Sequence, residues 1–134
     1  MFLNSLPQSQ KVAFLALVRD FVRVDEKVSE TEIQSLEVMC HGMGLDPKMW
    51  IEKRPRAEWF KQIEGRPARV AVLFELLGLA FADHDFGALE RAFIQEACAE
   101  WGFSEEDLKE FANWVERHMA LVAEAQRLMN KMHT

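Results

Sequence analysis

An all-α fold, a compact bundle of about six to seven helices, is expected from three features of the chain: apolar residues recur at helical spacing, no stretch alternates with period two, and one helix-turn-helix pattern occurs twice. The repeat is the most informative of the three. Seven residues have an identical counterpart 58 places further on: Val12 and Val70, Ala13 and Ala71, Leu15 and Leu73, Asp25 and Asp83, Glu32 and Glu90, Cys40 and Cys98, Gly44 and Gly102. No gap is needed to align residues 11–46 with residues 69–104, so duplication of one unit is the simplest account.

The elements follow in chain order. The first helix is expected to start near Pro7, since proline suits the opening positions of a helix, and to run apolar to Val24. Its partner starts at Ser29, where Ser-Glu-Thr-Glu reads as a capping box, with Ser29 as cap and Glu32 reaching back, and stops at Gly42-Met43-Gly44. Residues 47–66 form a connector. The second unit runs from Gly65-Arg66-Pro67 to Asp83, turns through His84-Asp85-Phe86-Gly87 and continues from Ala88 to Gly102. Ser104 with Asp107 then caps a last helix over 104–130. Its positions Leu108, Phe111, Trp114, Val115, His118, Leu121, Val122, Ala125 and Leu128 keep the 3.6 period, which predicts a core-facing stripe about six turns long.

At 134 residues the chain is expected to be one domain over 1–134, burying roughly two thirds of the surface its unfolded form exposes. With 49% hydrophobic and 28% charged residues it has an ordinary globular balance. A net charge of −6 and a pI near 5.2 disfavour nucleic acid and anionic membrane surfaces as main partners, and favour cations. The opening MFLNSLPQSQ lacks the basic and apolar segments of an export signal. The apolar run Val70 to Ala82, interrupted by Glu75, is too short for a transmembrane segment. Cys40 and Cys98 read as reduced, buried thiols without zinc-type spacing, so a cytoplasmic location is expected.

The residues that suggest chemistry sit at the two turns. Asp25 and Asp83 close a helix, and Glu32 and Glu90 lie seven residues later in the first turn of the next. Across a tight turn that spacing brings two carboxylates toward one point, the oxygen-donor set that Ca²⁺ or Mg²⁺ prefers, and Asp85 enriches the second turn. If the units pack about a pseudo-twofold axis near their turns, all four carboxylates share one region and a cation relieves their repulsion. The plain alternative is that each Glu caps a helix and each Asp forms a turn. These loops are too short for EF-hands, and the twelfth residue from Asp83 is Ile94 rather than Glu. Di-iron bundles are excluded by the absence of Glu-x-x-His.

Val-Asp-Glu-Lys-Val-Ser-Glu-Thr-Glu, ending at Glu32, and Ala-Asp-His-Asp-Phe-Gly-Ala-Leu-Glu, ending at Glu90, resemble the A-D-G-x-(I/V)-S-x-x-E element that recurs twice in TerB-like proteins. That family comprises helical tellurite-resistance proteins and the related N-terminal domain of DjlA-type membrane co-chaperones. The resemblance covers roughly residues 10–125. It implies an all-α fold, divalent-cation binding at Asp25, Glu32, Asp83 and Glu90, and a role in stress response or complex assembly rather than catalysis. The motif glycine is replaced here by Glu26 and His84, and its serine by Gly87 in the second copy.

No nucleophile, base and orienting group occur together, so an enzyme is not expected. His118 on the apolar stripe reads as a core histidine, and Glu75 as a partly buried carboxylate with no such partner. The connector and the residues just after it, 47–69, carry the basic residues Lys53, Arg54, Arg56, Lys61, Arg66 and Arg69 among Trp50, Trp59 and Phe60. The connector is expected to close the core through its tryptophans while its charges face water, with an exposed Trp as the mark of a protein-docking face. A metal-independent protein-interaction or co-chaperone-like module is therefore the alternative to the cation-binding reading.

Overall fold

The computed structural model describes residues 3–24, 30–82 and 87–131. Among them lie a 3₁₀ turn at Leu3–Ser5 and six α-helices: α1 Gln8–Arg23, α2 Glu30–Met43, α3 Arg56–Gln62, α4 Arg66–Ala82, α5 Ala88–Trp101 and α6 Glu105–Asn130. No strand occurs among the described residues, and no helix is long and apolar enough to cross a membrane.

The repeat is visible in the backbone. Helices α2 and α5 have equal length and stop by the same device. Gly44 and Gly102 take positive φ of 72° and 75°. The Gly44 N–H donates to the carbonyl of His41 at 3.1 Å and the Leu45 N–H to that of Cys40 at 2.8 Å. The second unit copies both bonds, from Gly102 to Ala99 at 3.4 Å and from Phe103 to Cys98 at 2.9 Å. This is a Schellman ending, which satisfies the last carbonyls of a helix and requires a left-handed residue that glycine supplies without a Cβ penalty.

Each unit is an antiparallel hairpin followed by one further helix laid against its first. Lys11 Nζ on α1 donates to the carbonyl of Met43 at 3.3 Å, and Arg19 donates to that of Pro47 at 2.6 Å, which ties the end of α2 back along α1. Helix α3 then packs on α1, as α6 packs on α4. The two units meet through aromatic edges. Phe21 meets Phe93 at 5.2 Å, Phe93 meets Phe60 at 5.8 Å and Phe60 meets Trp101 at 5.4 Å, each close to perpendicular. Trp101 Nε1 donates to the carbonyl of Phe60 at 2.8 Å, so the indole is buried without leaving its polar atom unpaired. Trp59 and Phe60 of the connector enter the core as the sequence predicts, whereas Trp50 stands 82% exposed.

Helix α6 departs from expectation. Ser104 and Asp107 form the predicted capping box, and Leu108, Phe111, Ala112, Trp114, Val115 and Met119 pack on the core. The stripe faces the core only that far, because α6 outruns the helix it lies on. The two run in the same direction: Arg66 lies 5.0 Å over Phe103 near their starts, and Phe74 stacks on Trp114 at 4.5 Å further along. Gly78 then shares a small cavity with His118 and Met119. Helix α4 stops at Ala82, and every residue of α6 from Ala120 onward is exposed.

Replacing Gly44 or Gly102 by Ala is expected to lower stability by about 1 kcal/mol, a drop of roughly 3–5 °C in Tm, with nearly equal effects because the two endings are alike. Thermal denaturation of the two variants checks both the size and the equality.

Candidate functional site

Glu32 and Glu90, the repeat-equivalent glutamates, are the buried charged side chains among the described residues, at 5% and 4% exposure. Each sits in the first turn of its helix, α2 or α5, where unpaired backbone N–H groups and the positive end of the helix dipole favour a carboxylate. Neither is without a partner in the protein. Burial of two carboxylates in one small domain is costly without compensating partners, so these positions are not the ordinary first-turn acids of a surface helix. Asp107 provides the contrast. It and Ser104 bond to each other's backbone N–H at 2.9 and 3.1 Å, and these bonds hold the Asp107 carboxyl below its usual range. At α5 the cap residue is Gly87, with no side chain to complete such a box.

Asp25, Asp83 and Asp85 lie outside the described residues, as do Ser29, Glu26 and His84. Their flanks are described. Val24, at the end of α1, and Leu89, in the first turn of α5, line one cleft of about 600 Å³. The chain therefore leaves toward the first acidic turn and returns from the second beside the same cleft. Among the described residues no group of three or more His, Cys, Asp or Glu side chains is arranged to hold a metal ion.

By sequence alone Arg56 reads only as a connector charge facing water, and Asp20 and Glu96 are not marked; the structure brings the three together in that cleft, with Arg56 drawn in by the Phe93 ring and the two carboxylates. Arg56 of α3 lies with its guanidinium 4.2 Å over the Phe93 ring, donates from Nη1 to Glu96 Oε2 at 2.7 Å, and places Nε 4.0 Å from Asp20 Oδ2. Arg56 Nε is itself buried and has no hydrogen-bond partner among the described residues. One side chain thus links α1, α3 and α5. Burial pushes the Asp20 carboxyl up, against the opposing pull of Arg56 and Arg23 and with help from Glu96. No sequence signal marks this cluster, because its members stand 36 and 40 residues apart and belong to no periodic pattern.

Cys40 and Cys98 are buried and unpaired by any disulfide, at matching places one turn before their Schellman endings. Burial raises both thiols, that of Cys98 to about 11. Cys98 floors an apolar groove between α5 and α6 beside Leu77, Ile94 and Leu108. His118 stacks on Trp114 at 5.1 Å with the rings nearly parallel, an aromatic packing role on the edge of the core.

Compared with protein-family models, with curated proteins and with solved structures, the chain shows no match.

Two outcomes follow from the shifted groups. At about pH 8 Cys98 should react with a disulfide probe about a hundredfold more slowly in the native protein than in guanidinium, as its raised value leaves little thiolate. Asp20 is shifted up from 3.8, so its charged form is disfavoured in the folded state. That cost is absent in acid and present once pH exceeds the folded value. Asp20→Asn should therefore stabilise the protein at neutral pH and lose the advantage in acid, as read by denaturant unfolding across pH.

Proposed function

We propose that the protein is a non-enzymatic, divalent-cation-responsive helical module in which Glu32 and Glu90, with Asp25, Asp83 and Asp85 from the adjoining turns, supply oxygen donors to a hard cation. The carrying observation is the burial of Glu32 and Glu90 at equivalent places in two copies of one hairpin. A capping role asks only that a carboxylate reach a backbone N–H and makes no demand for burial, whereas a cation needs carboxylates gathered away from competing solvent. The donor chemistry fits: the set is all oxygen, which suits Ca²⁺ or Mg²⁺ rather than zinc. The convergence of the two turn flanks on one cleft supports a shared site, and an overall charge of −6 favours cation approach. Such a module links the packing of its hairpins to ion concentration. The TerB-like resemblance of the two motifs agrees with this reading and extends it to stress response or complex assembly in the cytoplasm.

A metal-independent docking module is the second reading, and Trp50 favours it. A tryptophan 82% exposed is the kind of side chain that anchors a protein interface.

Thermal unfolding of EDTA-stripped protein with added Ca²⁺, Mg²⁺, Mn²⁺ and Zn²⁺ separates the two. A specific cation at a hundred times its dissociation constant should stabilise by about 2.7 kcal/mol, several degrees in Tm. The shift should vanish in Asp83→Asn with Glu90→Gln. If no cation moves the wild-type transition, the carboxylates are structural and the docking reading stands.

A further inference from the structure

We propose that the overhanging end of α6 is a self-association surface, which pairs antiparallel with the same segment of a second copy of this chain. The overhang is helical to Asn130, and every residue from Ala120 onward, a stretch about 16 Å long, is exposed. An isolated helix of that length is marginal in water, and this one carries Leu121, Val122, Leu128 and Met129 at 64%, 43%, 67% and 75% exposure. Together with Ala125 they fall on one face, in line with the stripe that packs on α4 further up the same helix. A covered seam is the arrangement that this face and this helix both call for.

The segment is complementary to itself in one register. With a two-fold axis between Gln126 and Arg127, Ala125 lies opposite Leu128 of the second copy, so a small residue meets a large one in both central layers. On one flank Val122 meets Met129, apolar on apolar. On the other, Glu124 meets Lys131, the C-cap residue just past the end of α6, opposite charges on each side of the axis. All three pairings occur twice by symmetry. The parallel arrangement loses each of them: Ala125 faces Ala125 across a gap, and Glu124 faces Met129. An antiparallel register nearer the body, which would pair Arg117 with Glu124, needs Trp114 and His118. Those rings already stack on each other and Trp114 on Phe74. In the favoured register the tip of each helix reaches the end of the other's α4, at Ala82, and occupies along α6 the place that α4 has vacated.

Sedimentation equilibrium on the full chain from micromolar to millimolar tests this. The wild type should show a reversible monomer–dimer equilibrium. Leu128→Glu should be monomeric throughout with an unchanged circular dichroism spectrum, since that side chain is 67% exposed. Lys131→Glu should raise the dimer dissociation constant roughly tenfold, because two attractive pairs become repulsive. Adding Glu124→Lys to it should restore the wild-type value. A wild type monomeric at every concentration overturns the proposal. So does a dimer indifferent to Leu128→Glu, or a charge-swapped double variant no tighter than the single one.

Discussion

The chain of aromatic edges from Phe21 through Phe93 and Phe60 to Trp101 is the contact on which the rest of the molecule depends. Neither hairpin buries both its faces by itself. Phe21 belongs to the first unit, Phe93 and Trp101 to the second, and Phe60 to the connector. One contiguous ring cluster thus holds three independent pieces of sequence in register. Perpendicular rings at this separation add directional preference to area burial, which fixes rotation as well as proximity. The Trp101 hydrogen bond to the Phe60 carbonyl pins the connector at the same point.

That cluster also sets the electrostatics of one end of the molecule. Phe93 is the face on which Arg56 rests, and Arg56 holds Glu96 directly while standing near Asp20. Val24 and Leu89, which flank the two acidic segments in the chain, line this cleft beside Arg56, so positive charge from α3 stands next to both flanks. Arg56 is already engaged by two carboxylates and stacked on a ring, which limits its freedom to neutralise others. An early helical carboxylate is normally solvated, whereas Glu32 and Glu90 are both buried.

Helix α6 shows how one amphipathic pattern serves two ends. Its first half completes the second unit by covering α4, and its second half carries the same pattern into solvent beyond Ala82.

Much of this was legible in the sequence. The 3.6 period, the duplicated Gly44 and Gly102, and the Ser104 and Asp107 box are local signals, and the elements they mark form as expected because helix ends are decided within a few residues. The repeat also marked Glu32 and Glu90, which stand at the same offset in both units. What the sequence left open was burial and proximity. Nothing local distinguishes Trp59, enclosed by the core, from Trp50, which faces solvent, or the upper half of the α6 stripe from the lower. The Arg56 cluster joins residues from three helices that meet only when the hairpins dock. Periodicity fixes which face of a helix is apolar; whether another element lies there depends on the lengths and docking of neighbouring helices, and that is decided by the tertiary structure alone.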